Sequence, residues 1–589
     1  MLLQEKKKFS LKEHVEEFKN QEEFTQNNLK ELLKDYHPDY FSKIYDSNSN
    51  FPTKHITNEL EFNNKNINME LCQCKTGIGK IYFDLLLNNP SSNINILNER
   101  QKTIKYFYDN TSKELKENFN NMQDVINDCM WFFKDKNEHS DYIYNMIYFN
   151  KDYLKFLNKV EPFLTITNAY KIIISPILSV CSPLLYVILP FIIMRFMRVR
   201  LPFKFFLKLM WQQSSMISIP FVKNKMMQIV IKWFSKFLSV FLYCQNVYGS
   251  YNTSKTTLGI VDMFYNKLEN IKKILGLNLE LREKFDNYVG VNPACFSSIE
   301  RKGYYENKPS IFSNKGLILK DFYEFVENKN QILKILNGIG FVDCYISISD
   351  KLREISFYSL PKILNINYPK VEISGLWHPG VKKENIIRND VIFDKNKRNY
   401  VLTGPNAAGK STFIKSVFMN IYLSQTIGIC NSKSVQLTPF IYMITGIRNQ
   451  DSQGTESLFE AEVKKIKDYL DIIRKKESHG FTFSILDEVF TSTNYQEGFA
   501  ASKGLCKTIG GFKNSLHIVA THYTKLYKMV KEKDLGFRNI KFSVEFDKDG
   551  KIKFLYKLEK GYSKQFIALK LMKQKNCDNL FLENCLKYL

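Results

Sequence analysis

Three short stretches in the C-terminal third carry residue types that can do phosphate chemistry. In the first, Gly404-Pro405-Asn406-Ala407-Ala408-Gly409-Lys410-Ser411-Thr412 follows a short apolar strand (400–403) and leads into a helical run (413–423). Glycines let a backbone curl until its N–H groups point inward, and the start of a helix adds partial positive charge. This strand–loop–helix pattern predicts a phosphate-binding loop for ATP, with Lys410 on the β- and γ-phosphates and the Ser411 hydroxyl on Mg²⁺. In the second, an apolar run (481–486) reads as a buried strand and ends in Asp487 and Glu488. Asp487 suits the Mg²⁺ shell, and Glu488 suits orienting and activating an attacking water. In the third, the apolar run 516–520 ends in Thr521-His522, where the imidazole can hydrogen-bond the γ-phosphate or that water. Glu488 and His522 are the candidate catalytic groups.

Between the first two stretches lies Asp451-Ser452-Gln453-Gly454-Thr455-Glu456-Ser457-Leu458-Phe459-Glu460. Ser457 and Glu460 have capping-box spacing, and Leu458, Phe459, Val463, Ile466, Leu470 and Ile473 continue as one apolar helix face. Two uses fit. Ser457 caps its own helix, or the capped helix start meets the γ-phosphate of a nucleotide bound by a second subunit.

The elements that hold these stretches follow from the wider pattern. The 589 residues allow two to four domains. Before about residue 65 the chain is polar and rich in Asn and Lys; 66–165 reads as amphipathic helices, including one with Tyr82, Leu85 and Leu86. Residues 250–340 return to charged helical texture, and 328–337 and 341–356 read as successive helices. From about 366 short strands and glycine turns mark a C-terminal α/β domain. The net charge of +24 attracts phosphates of nucleic acid or of an anionic membrane, or reflects lysines spread over a solvated surface. The eleven cysteines show no framework spacing, so reduced thiols in an intracellular compartment are expected. The charged N-terminus does not read as a signal peptide.

Residues 172–194 stand apart. These 23 residues carry no charge, are bracketed by Lys171 and Arg195, and contain Pro176, Pro183 and Pro190. The length can cross a bilayer core, and prolines are better tolerated where neighbours satisfy the freed carbonyls. Arg195, Arg198, Arg200, Lys204 and Lys208 put the downstream end, and with it the ATPase, on the cytoplasmic side. The other reading is a core segment broken by prolines. A membrane-embedded or membrane-surface segment, with a re-entrant hairpin as one form, is the expectation here. A second apolar stretch, 226–248, contains Lys232 and Lys236 and looks amphipathic.

Taken together, TGPNAAGKST, SLFEAEV, LDEVF and ATHY closely resemble the MutS branch of the ABC-type ATPases. Gly375-Leu376-Trp377-His378-Pro379 and Asn389-Asp390 resemble the entry to that family's ATPase domain. Leu555-Tyr556-Lys557-Leu558, then Gly561 and the helices to the end, resemble its dimerising tail. Upstream, residues 76–79, Asn89-Pro90 and Arg100-Gln101 resemble the start of its core. The resemblance implies a mixed fold: a mainly helical MutS-like core and lever, then an α/β P-loop ATPase domain with a helical tail. The divisions would be 1–65 (extension), 66–365 (core), 366–550 (ATPase) and 551–589 (tail). It also implies sites shared by a homo- or heterodimer, Gly454, Thr455 and Ser457 reaching the nucleotide of the partner and Thr491, Ser492, Thr493 and Asn494 touching it. The implied partner is mismatched or otherwise structured DNA, and the alternative is a membrane-associated ATPase with a non-repair role. The sequence departs from the family in three places. The region before residue 70 is short for a mismatch-reading domain, the usual methionine of the phosphate loop is absent, and the signature reads Thr-Glu-Ser-Leu-Phe. Phe322-Tyr323-Glu324 spells the family's base-wedging triplet by coincidence, in a helical context.

Overall fold

The structure, a computed structural model, describes residues 41–49, 51–133, 138–215, 225–285, 315–354, 356–446, 458–547, 552–563, 567–574 and 577–587, with Glu13 and Tyr288. It divides into two compact units.

The larger unit holds ten strands: β1 Lys362–Ile363, β2 Val371–Leu376, β3 Asn389–Phe393, β4 Asn399–Thr403, β5 Ser434–Leu437, β6 Tyr442–Gly446, β7 Thr482–Asp487, β8 Ser515–Ala520, β9 Phe537–Phe546 and β10 Ile552–Lys560. They form two sheets, ordered β1-β5-β2-β3 and β10-β9-β4-β8-β7-β6. In the larger sheet β9, β4, β8, β7 and β6 run parallel, and β10 closes one edge antiparallel. Every residue of β4, β7 and β8 is buried, as expected of parallel strands covered on both faces.

Helices of the earlier chain belong to this unit as well: α1 Gly77–Leu87, α2 Ile94–Asn110 and the C-terminal part of α3 Lys329–Lys351. They are followed by α4 Lys410–Gln425, α5 Leu458–Glu477 and α6 Tyr495–Gly510. The sequence suggests two helices over 328–356, yet α3 is continuous through Asn337-Gly338-Ile339-Gly340. A Cβ on Gly340 would lie 2.2 Å from the Ile78 side chain, so glycine here admits a neighbouring helix and does not break its own. Thr76 caps α1 through Gly79 N–H at 2.9 Å, and the Asp343 carboxylate accepts from both the Thr76 N–H and hydroxyl at 2.7 Å.

Arg100 on α2 is fully buried. Its guanidinium donates to the carbonyls of Ile44, Asn89, Gln425 and Thr426 and to the Asn89 side chain, all within 2.7–2.9 Å. Two of those carbonyls end α4, where the helix dipole favours a cation. Burial holds the group down at about 10. The other end of α4 follows the loop 404–409, so one buried arginine anchors the helix on which the candidate site is built.

The smaller unit is helical and centres on Phe132, Phe264, Phe322 and Phe325. Phe322 is fully buried and stacks 3.5 Å from Phe264, so it is a core side chain and not a wedge. A helix of 36 residues, Glu161–Phe196, belongs to this unit, and no residue of its most apolar window is buried.

Candidate active site

The loop after β4, the end of β7 and the end of β8 all lie at the carboxyl edge of the parallel strands, where open α/β sheets bind ligands. Residues far apart in sequence therefore meet. The backbone at Ala407 (φ 62°) and Gly409 (φ 97°) turns left-handed before α4 begins at Lys410, giving the curled loop an anion cradle requires. Lys410 is buried and folded back, its Nζ 2.9 Å from the Gly404 carbonyl and 3.3 Å from that of Pro405. Burial lowers its pKa, while Glu488 and Asp487 work in the opposite direction.

Ser411 donates to Asp487 at 2.8 Å. Burial raises the Asp487 pKa, the Ser411 bond counteracts this, and the neighbouring Glu488 charge adds to the rise. The other oxygen of Asp487, Oδ1, is buried with no hydrogen-bond partner. A hydroxyl beside a carboxylate with one unused buried oxygen is a donor set that fits a divalent cation. Glu488 sits at φ 55°, an uncommon left-handed conformation at this strand end, and its N–H bonds the Ala520 carbonyl at 2.9 Å. Its carboxylate pairs with His522 Nε2, so the two candidate catalytic groups are in direct contact.

A cleft of about 910 Å³ opens beside the loop, lined by Pro405 to Ala407, Gly409 to Phe413, Glu488, the 376–389 segment, Phe542, Phe554 and Tyr556. Sequence reasoning did not assign its wall. Asn389 donates to the Tyr556 carbonyl at 3.0 Å and accepts from Leu558 N–H at 2.7 Å, pinning an irregularity in β10 where Tyr556 adopts φ 52°. Tyr556 is thereby turned so that its ring lies 3.1 Å from where a Cβ on Gly409 would be. Only the two separate motif fragments, Asn389-Asp390 and Leu555 to Leu558, hinted at this, since their contact spans 167 positions. Asp390 accepts from Gly375 N–H at 2.7 Å, and Trp377 donates to the Phe357 carbonyl. His378 is held down at about 4 by burial and by Lys415.

Residues 400–585 match the family model MutS domain V. The chain is also similar to proteins named DNA mismatch repair protein MutS. It is 26% identical over 318 residues to that of Fusobacterium nucleatum, covering 49% of this chain and 34% of the relative. It is 30% identical over 274 residues to that of Clostridium tetani (44% and 30%) and 27% identical over 255 residues to that of Aquifex pyrophilus (42% and 29%). The similarity to the MutS family thus covers residues 400–585 by the family model and less than half of the chain in these relatives. It spans about a third of the length of the curated relatives it matches.

Within the matched region the signature residues Gly454, Thr455 and Ser457 lie outside the described residues. The helix after them, α5, begins with Leu458 60% exposed and Val463 44% exposed, although the sequence marks both as one apolar face with the buried Ile473. The loop Thr491 to Asn494 is tied locally. Ser492 donates to Glu462 of α5 at 2.7 Å, Thr493 and Asn494 donate to Glu497, and Asn494 caps α6.

Proposed function

We propose that this chain binds and hydrolyses MgATP at the carboxyl edge of the larger sheet. The observation that carries the reading is the meeting of Lys410, Ser411, Asp487, Glu488 and His522 beside one open cleft. The phosphate loop, residues 404–412, would wrap the phosphates, with Lys410 leaving its loop carbonyls to meet the β- and γ-oxygens. Ser411 and the unused Asp487 oxygen would hold Mg²⁺, which supplies charge neutralisation when bound. Glu488 would orient and deprotonate the attacking water, and His522 would hold Glu488 in place and hydrogen-bond the γ-phosphate. The aromatic wall with Tyr556 would receive the base.

The site would be completed by a second MutS-type chain. The exposed Leu458 and Val463 support this, because they flank the signature residues and leave an apolar surface to be covered. Closing and opening of such a dimer would be coupled to clamping of mismatched or structured DNA, as the relatives' name suggests. Mixed dimers test the sharing. A chain carrying Ser457→Ala paired with one carrying Lys410→Ala should keep one intact composite site, whereas both changes in the same chain of each pair should leave a different number of active sites. Equal turnover in the two arrangements overturns the trans role. DNA binding through phosphates should weaken steeply with salt, and turnover indifferent to both DNA and salt defeats the DNA reading.

A second reading, a membrane-associated ATPase of the same family with its nucleotide site in the cytoplasm, is favoured by the exposed apolar helix Glu161–Phe196.

A further inference from the structure

Between Glu161 and Asp262 the sequence contains no acidic residue and eleven lysines and arginines, nearly half of the net charge of +24. The same stretch holds the largest run of exposed apolar side chains among the described residues. We propose that it forms a two-helix hairpin that inserts into a lipid bilayer, with its basic tip among anionic headgroups. This rests on the membrane-associated reading and adds the pairing, the depth and the lipid charge.

The pairing is explicit. Glu161–Phe196 and the first half of Lys225–Phe285 run antiparallel, joined by Ser254 to Ile172, Ser175 to Ser250 and Tyr243 to Val180. A hairpin returns the chain to the side it left, so both flanks share one side and the basic tip reaches the opposite headgroups, in place of the same-side arrangement of basic residues and ATPase expected of a single span.

The exposure is of a kind that a protein partner does not explain. Leu184, Leu185, Tyr186, Ile188 and Leu189 are all exposed, and at 100° per residue they cover about 200° of the helix circumference, more than one docking face. On the facing helix Trp233, Phe234, Phe237, Leu238, Val240 and Phe241 are exposed too. A docking protein covers one face of a helix pair; lipid surrounds it.

The backbone is prepared for a solvent that cannot hydrogen-bond. A proline leaves the carbonyl four residues before it without its N–H. Pro176 does this to Ile172, and the Ser254 hydroxyl from the facing helix donates to that carbonyl at 2.6 Å in a buried setting. Pro183 does it to Ser179, and the Ser182 hydroxyl donates there at 2.9 Å. The turn before Pro176, Tyr170–Ile174, is widened to five-residue spacing, a further adjustment to the missing donor. Ile172 and Ser179 are buried, and a freed carbonyl there needs such a partner, as it does throughout a hydrocarbon core.

Depth and charge agree. The uncharged residues 172–194 span about 34 Å as a helix, against a hydrocarbon core of about 30 Å. The end of that span carries Arg195, Arg198, Arg200, Lys204 and Lys208, with the Arg195 guanidinium 5.7 Å from the Phe191 ring. Lys236 lies 5.7 Å from the Trp233 ring on the facing helix, where its long side chain can reach the same interface. Clustered basic residues beside an apolar segment favour anionic lipid.

Cys181 and Cys244 report on depth, since they lie in the facing helices near the middle of the pairing and Cys244 is exposed. Full-length protein would be mixed with phosphatidylcholine vesicles with and without phosphatidylglycerol, floated, and treated with a membrane-impermeant maleimide read by mass spectrometry at Cys244. The expected result is flotation resistant to carbonate, stronger on anionic vesicles, with Cys244 labelled only after detergent. Flotation with Cys244 labelled as fast as in detergent keeps the membrane reading and overturns the inserted hairpin. Folded protein that does not float overturns both, as does protection of Cys244 by duplex DNA in the absence of vesicles. Leu184→Arg with Leu189→Arg should abolish flotation and leave nucleotide turnover in detergent unchanged; a loss of turnover on both vesicle-free and detergent samples would mean that these positions serve the fold.

Discussion

Among the described residues two helices are long and apolar enough to cross a bilayer, and their surroundings are opposite. The most apolar window of α3 is 94% buried, whereas no residue in that of Glu161–Phe196 is buried. The breaker residues differ accordingly. In α3 Gly340 lets Ile78 approach, and the buried Asp343 is met by Thr76 and Lys75 N–H groups. In Glu161–Phe196 prolines free backbone carbonyls that hydroxyls then satisfy. Apolar length alone is the same signal in both. What separates them is whether small residues admit a protein neighbour or polar side chains replace water along the backbone.

The contrast extends to function, because the sheet-bearing unit and the exposed hairpin should be separable by mutation. The largest effect is expected from Lys410→Ala, which removes the cation that the loop positions for the phosphates. Turnover should fall by about 10²-fold or more, with vesicle binding intact. If both are lost together, the two regions are not independent.

Truncation of equivalent leucines sharpens the comparison next. Leu336→Ala in α3 deletes a fully buried side chain and should cost about 2–5 kcal/mol in denaturant unfolding. Leu184→Ala, at a 63% exposed position, should change stability by about 0.5 kcal/mol or less while weakening vesicle retention. Similar losses at both positions would mean that the exposed helix is packed against protein.

How much was legible in advance follows from the same physics. Lys410, Ser411, Asp487, Glu488 and His522 were readable because phosphate chemistry restricts residue type and spacing, and strand ends of a parallel sheet share one edge. The α/β texture after 366 was readable from short apolar runs between glycine turns, whereas its division into two sheets was not. The wall of the cleft was not, since Tyr556 is aimed by Asn389 from far away in sequence. Nor was the role of Arg100, whose partners are backbone carbonyls that any residue could supply. The pairing of residue 172 with 254 was hidden for a similar reason: a serine on a polar stretch of helix does not announce which carbonyl it will meet.

A pH series probes the sheet-bearing unit alone. Burial, with Arg398 adding to it, holds the fully buried His517 down at about 3, where it bonds Ser484 and Tyr469 as a neutral ring. The ordinary value is about 6.5, so between these limits the unfolded chain binds the extra proton. Stability is therefore full above about pH 6.5 and falls as pH drops toward 3, by up to about 1.4 kcal/mol per pH unit from this group. His378, held at about 4, acts in the same direction. His517→Gln should flatten the acid side of the profile; an unchanged slope would remove His517 from the account.

The smallest effect belongs to the cleft wall. Tyr556→Ala should weaken nucleotide binding by roughly three- to tenfold without changing the rate of the chemical step, the size expected for losing one aromatic contact. A change in turnover with affinity preserved would place Tyr556 elsewhere in the cycle.

The most direct test of the central claim is a comparison of ATP binding and phosphate release in the full-length protein and its Glu488→Gln variant. Glu488→Gln is expected to retain bound MgATP while phosphate release falls by about 10²–10⁴-fold. Hydrolysis at the original rate in that variant would contradict the role assigned to Glu488 and, with it, the placement of the chemistry in this cleft.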